Sequence, residues 1–224
     1  MLTGSIRGRS PFGSSLLGIG LVAAALSGCS RKGEVDETGG IVQVRSACPG
    51  ASVPAGTGDI TLFNPAGSTD SRAIDVVGVI SNVKAVCSDA GEQLYTQATF
   101  TVTGSRRGDL SAAREVTLPY FSVVVRGATA VVAKRVGQVT LSFAAGQSRT
   151  TATASASSYV DKAAATLPPE IEQQIRRQRK AGDEDAAVDP LSRPEVRDAI
   201  TRTSFELLIG FNLTADQLQY NATR

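Results

Sequence analysis

The chain has 224 residues, 20% of them charged and 5% aromatic, with no histidine, no tryptophan and a formal net charge of +2. Lack of an imidazole excludes Ser-His-Asp and Cys-His nucleophile pairs, histidine-ligated zinc or iron, and the usual general base at neutral pH.

Arg7 and Arg9 stand without an acidic neighbour ahead of an apolar stretch from Leu16 to Leu26, the outline of a signal peptide. The stretch is shorter than the ~20 residues that a membrane span needs, so cleavage is expected. It ends in Leu26-Ser27-Gly28-Cys29, which resembles the lipobox of bacterial lipoproteins; the resemblance covers little more than the signal segment. In that family the cysteine thiol takes diacylglycerol and the new amino terminus usually takes a third chain. The resemblance therefore implies removal of residues 1–28, acyl chains such as palmitate on Cys29, and attachment to a membrane. One chain binds a bilayer only marginally, at ~0.8 kcal/mol per buried methylene, whereas two or three hold firmly. An aspartate after the cysteine often retains members of that family in the inner membrane. Here the residue is Ser30, so the expectation is the outer membrane, periplasmic face. Gly8 between Arg7 and Arg9 gives no support to the twin-arginine route.

Cleavage would leave 196 of the 224 residues and lower Lys plus Arg from 23 to 21, equal to the 21 Asp plus Glu. A formally neutral chain has no electrostatic basis for nucleic-acid binding. With Cys29 assigned to lipid, Cys48 and Cys87 remain as an even pair in an oxidising compartment and are expected to be bonded. The alternative, two reduced thiols facing a metal, lacks histidine partners and makes a poor site.

Residues 30–40 are polar and glycine-rich with no apolar period and read as a tether. From Ile41 the period is two. Ala98, Phe100 and Val102 alternate with threonines, Val139, Leu141 and Phe143 with Thr140 and Ser142, and Ala152, Ala154 and Ala156 with Thr153 and Ser155. This is the pattern of half-buried strands. Continuous apolar runs at Ile74–Ile80, Val83–Cys87, Val116–Val125 and Thr129–Val136 suit interior strands. Turns are expected at Asn64–Gly67, Ser88–Gly91, Gly104–Gly108, Arg126–Gly127 and Ala145–Gln147. Seven or eight strands without an intervening helix predict, over residues 41–160, an antiparallel β-sandwich resembling immunoglobulin or fibronectin type III domains.

A small α-helical segment is expected over residues 161–224. Pro168-Pro169, acids in a first turn, and Arg176, Arg177, Arg179 and Lys180 before Gly182 mark one helix. A capping box of Ser192 and Glu195, with Val196, Ala199, Ile200, Thr203 and Leu207 as a stripe, predicts a second that runs toward Gly210. Thr214 and Gln217 box a short third.

No catalytic constellation or metal-ligand set emerges, and no cofactor is expected. Arg106 and Arg107, with Asp109 and Arg114, fall in the longest predicted hairpin loop and are candidate interaction residues, or an ordinary soluble loop. Arg176, Arg177, Arg179 and Lys180 could meet lipid phosphates or an anionic glycan, or form a solvated helix face. Asp183, Glu184, Asp185 and Asp189 lack the spacing of a calcium loop. The reading is a non-enzymatic envelope lipoprotein that serves as a structural or accessory interaction module with a protein partner. The alternative is a module that binds peptidoglycan or polysaccharide, for which Tyr95, Tyr120 and Tyr159 are the available aromatics.

Overall fold

A computed structural model describes residues 46–177, 182 and 188–223. Cys29, the tether, Arg179, Lys180 and the acidic cluster 183–185 lie outside them. The described residues form eight strands: β1 (Gly50–Ser52), β2 (Asp59–Phe63), β3 (Ile74–Ala90), β4 (Gln93–Arg106), β5 (Arg114–Arg126), β6 (Ala130–Phe143), β7 (Arg149–Asp161) and β8 (Phe205–Phe211). They make two four-stranded sheets, ordered β2-β3-β4-β7 and β1-β8-β5-β6. Every pair is antiparallel except β1 with β8. The β5–β6 hairpin of one sheet is inserted in the chain between β4 and β7, which are neighbours in the other. That crossing pattern is the wiring of immunoglobulin-like sandwiches.

The alternation along β4 shows how the sequence selects this arrangement. Leu94, Thr96, Ala98, Phe100 and Val102 are buried, while the residues between them turn to the other face. The apolar ones among the buried residues meet Leu118, Leu141, Phe143, Leu207, Ile209 and Phe211 of the second sheet in one core. Gly78 and Gly104 are register partners on β3 and β4. A Cβ on Gly78 would lie 2.6 Å from Leu118 Cδ1, and one on Gly104 2.4 Å from Leu141 Cδ1. The two glycines leave a hollow that these leucines fill. This corrects the turn expected to start at Gly104, which instead lies inside β4 because its missing side chain is a packing requirement.

The runs Ile74–Ile80 and Val83–Cys87 are one strand, β3, with a register shift between Ser81 and Lys84. Asn82 sits there at φ 53°, a conformation that asparagine tolerates better than most residues. Past this point β3 has left β2 behind, and Val86 is 71% exposed where an interior strand was expected. Cys48 and Cys87 are bonded across a separation of 39 residues. The bond ties the segment entering β1 to β3.

The C-terminal segment departs most from expectation. After β7 come α1 (Lys162–Ala165), capped by Asp161, and α2 (Pro169–Arg176), which has proline at its entry and Glu170 and Glu172 in its first turn as predicted. The second expected helix is α3 (Pro194–Thr203), and it stops before Leu207. Its last carbonyls accept from hydroxyls of its own final turn: Thr203 Oγ1 donates to Ala199 O at 2.9 Å and Ser204 Oγ to Ile200 O at 2.6 Å. Such bonds compete with helix propagation. The chain then extends into β8, where Leu207, Ile209 and Phe211 are buried. The expected Ser192–Glu195 box does not form. Ser192 Oγ donates to Asp189 O at 2.7 Å within the 3-10 turn Pro190–Ser192, and α3 begins on Pro194 with no side-chain cap. The sandwich is thus not complete at residue 160. β8 lies between β1 and β5, and both sides of that boundary belong to one unit, Gln43–Arg224.

α3 packs on β5, with Val196 and Ala199 buried, and accounts for the burial of Val123 and Val125 on the outer face of that sheet. The Thr214–Gln217 box does form, with reciprocal bonds of 2.9 and 3.2 Å at the head of α4 (Ala215–Thr223). Asn221 Nδ2 donates to Gly56 O and Asp59 O at 2.9 and 2.8 Å. Tyr220 meets Phe63 edge to face at 5.1 Å, which docks α4 beside β2.

Candidate interaction site

The loop thought to present Arg106 and Arg107 is a crossover between sheets, since β4 and β5 belong to different ones. Arg106 ends β4 and is only 4% exposed. Its Nε donates to Gln147 O at 2.8 Å, Nη1 to Ala112 O at 2.9 Å, and Nη2 to Leu110 O and Ala144 O at 3.2 and 3.1 Å. The guanidinium carbon also stands 5.3 Å from the centroid of the Phe143 ring. A planar fork of donors is suited to this clamp on two loops, and four of its five N–H groups are spent on it. Arg106 is therefore corrected from recognition residue to internal brace.

Arg107 is exposed and donates from Nη1 to Ser71 O at 3.3 Å. Arg114 grips Asp75 with two bonds of 2.7 and 2.6 Å. That hydrogen bonding holds the Asp75 carboxyl below its ordinary range against desolvation, and Asp75 in turn raises the Arg114 guanidinium. Asp109 accepts from the backbone N–H and the hydroxyl of Ser111 at 2.8 and 2.9 Å, and both bonds lower its pKa. The polar groups of this crossover are largely engaged with one another.

On α2, Arg176 is paired with Glu172 at 2.6 Å, one helical turn away, and Arg177 is exposed. The pairing reduces the basic character expected there. A cleft of about 80 Å³ lies beside it, lined by Ala47, Ala165, Leu167, Ile175 and Arg176 among others. Small-ligand sites run to several hundred Å³, so this cleft suits a few water molecules. Asp189 accepts from Leu191 N at 2.9 Å and caps a turn. Among the described residues no group of three or more Cys, Asp or Glu side chains converges on a metal position.

Besides single exposed side chains such as Val79 and Val86, two exposed apolar features involve neighbouring residues. Tyr95 and Tyr159 are register partners on β4 and β7, with ring centroids 4.9 Å apart at a tilt of 42°, and Tyr159 is 56% exposed. Tyr120, the third aromatic considered, is half-buried and packs edge to face on Phe100.

The larger feature is the first half of β6. Every residue from Ala130 to Val136 is exposed, with Val131 at 65%, Val132 at 56% and Val136 at 59%. Thr129–Val136 was expected to be an interior strand. It is instead the end strand of its sheet, hydrogen-bonded only to β5. Lys134 and Arg135 were the overlooked signal. Adjacent strand residues point to opposite faces, so a strand buried on both faces would have to bury one of these charges on each.

No family model, curated protein or solved structure matches the chain. No helix among the described residues is long and apolar enough to cross a membrane.

Proposed function

We propose that the chain is a lipid-anchored envelope protein, held by acyl chains on Cys29 at the periplasmic face of the outer membrane, that works through protein contacts and not catalysis. The observation that carries this reading is the valine-rich edge of β6, where Val131, Val132 and Val136 are exposed along a single strand. Contiguous exposed apolar surface is a mark of interaction sites. The bonded Cys48–Cys87 pair supports an oxidising compartment, and the lipobox resemblance supports the anchor.

Mass spectrometry of the native protein tests the anchor: the expected amino-terminal peptide begins at Cys29 and carries diacylglycerol and a further acyl group. An unmodified thiol, or a terminus at Met1, removes the anchor from this proposal. Chemical cross-linking in intact envelope tests the role, with one protein partner recovered in fixed ratio as the expected result.

A second reading, binding to peptidoglycan or a surface polysaccharide, is favoured by the paired rings of Tyr95 and Tyr159, since sugars stack on exposed aromatic faces. Co-sedimentation with purified sacculi that Tyr159→Ala abolishes would select it over the first.

A further inference from the structure

We infer that the free edge of β6 over Ala130–Val136 is an acceptor for an extended, acidic segment of a partner protein, added to the sheet as a further antiparallel strand. The inference rests on reading the chain as an interaction module and names what the module takes.

The backbone supplies the first argument. β6 ends its sheet, with β5 as its hydrogen-bonded neighbour. Alternate residues of such a strand direct N–H and C=O groups away from that neighbour, a row that an incoming strand can pair. Strand addition of this kind draws affinity from main-chain bonds and specificity from the alternating side chains.

The side chains supply the second. Val136 shares a face with its register partner Phe121, and Val131 with Val125, so the edge continues apolar surface already present on β5. Five of the seven residues are Ala or Val and the other two are Lys134 and Arg135. Neither cation has a carboxylate partner among the described residues; Lys134 Nζ stands 5.9 Å from the Phe121 ring. As neighbours on a strand the two cations project to opposite faces. The complementary occupant carries two consecutive carboxylates, one for each face, flanked by β-branched residues.

Charge also decides against a second copy of this chain. Pairing β6 with β6 gathers four cations at one seam with no carboxylate among them, and like charges near one another across strands are destabilising. Lysine and a bulge are common protections of a sheet edge. Here the register passes from Val124–Ala133 to Val125–Val131, so Val132 is an extra, unpaired residue and β6 carries a bulge as well as its charges. Both discourage self-pairing, while Lys134 and Arg135, on the regular side of the bulge, leave an acidic strand welcome.

The test uses the full chain and a fluorescent peptide of sequence Thr-Val-Val-Glu-Glu-Val-Thr, with its Lys-Lys counterpart and a version N-methylated at alternate residues. Anisotropy is expected to show saturable binding of the acidic peptide alone. Lys134→Glu with Arg135→Glu should weaken it at least tenfold and transfer binding to the Lys-Lys peptide, while an unchanged melting curve confirms that the variant folds. N-methylation should abolish binding. Equal affinity for both peptides, binding that survives N-methylation, or no binding at millimolar peptide overturns the inference. So does peptide-independent dimerisation in sedimentation, or a preference of the edge for vesicles of anionic phosphatidylglycerol that the charge variant removes. If the partner cross-linked in envelope is retained equally by wild type and charge variant, the interaction-module reading stands and the β6 seam falls.

Discussion

The hydroxyl of Tyr120 donates to the carbonyl oxygen of Ser155 at 2.9 Å, so that a side chain of β5 reaches past β6 to bond the backbone of β7. The path is open because residue 137, its register partner, is glycine; a Cβ there would come within 2.5 Å of Tyr120 Cζ. The bond joins the two sheets along one side of the sandwich, close to where the exposed half of β6 begins.

Two substitutions separate the hydrogen bond from the packing. Tyr120→Phe keeps the ring on Phe100 and loses only the hydroxyl, with an expected cost of about 1 kcal/mol. Gly137→Ala displaces the whole ring and is expected to cost about 1–3 kcal/mol, as overpacking does. Urea unfolding measures both at constant m-value. A Gly137→Ala variant as stable as Tyr120→Phe would mean that the ring relocates freely.

How much of this was legible in the sequence depends on which period governed a segment. β4 and β7 alternate cleanly because each has one face on the core, and both follow from residue spacing alone. The stripe from Val196 to Leu207 fits a helix up to Thr203, but Phe205, Leu207, Ile209 and Phe211 also fit period two. Which period prevails at Leu207 is decided by the hydroxyls of Thr203 and Ser204 and by the vacant place beside β5, and spacing cannot report the second. The valines of β6 were misplaced for a related reason: hydrophobicity indicates that a residue favours burial, whereas the end of a sheet is set by topology. Arg106 was legible as a charge but not as a brace, since its four acceptors come from two loops far apart in sequence.

That brace yields a contrast between neighbours. Arg106→Met keeps the aliphatic stem over Phe143 and leaves the carbonyls of Gln147, Ala112, Leu110 and Ala144 without their donor. Hydrogen bonds to a charged group contribute about 1.5–3 kcal/mol each, and unmet buried carbonyls are costly; a loss on the order of 3 kcal/mol is expected. Arg107→Ala, at an exposed position with one long bond, should fall within about 0.5 kcal/mol of wild type. Denaturant midpoints at matched m-values check the pair, and similar midpoints for the two variants would refute the clamp.

Acid should act through Asp75. Its carboxyl is held below the ordinary range by Arg114, so the folded state favours the ionised form more than the unfolded chain does. The stability this contributes is fully present above the unfolded value of ~3.9 and is lost as pH falls through the lower folded value. Asp75→Asn should therefore melt below wild type at pH 7, and the gap should close as the pH falls below about 4. Thermal unfolding followed across that range decides it; a gap of constant size would assign the effect of the substitution to packing.

The Cys48–Cys87 bond closes a loop with a sequence separation of 39 residues, which corresponds to about 4 kcal/mol in the chain-entropy model. The part of the fold most dependent on it is β1, three residues long and paired in parallel with β8 through Gly50, Ala51 and Ser52. Apart from that ladder, Ser52 Oγ donates to Glu206 Oε1 at 2.6 Å and Ala51 packs against the core. A strand so short gains little from its own pairing, and the covalent link at Cys48, separated from it by Pro49 alone, confines it to the edge of β8. Replacing both cysteines by serine should lower global stability by a few kcal/mol. It should also release β1 first, so that amide exchange at Ser52 and along the β1-facing side of β8 accelerates well before the β4 core exchanges. If the double variant keeps its stability within about 1 kcal/mol and β1 amides exchange no faster than those of β4, the segment is held by its own contacts and the bond does not anchor it.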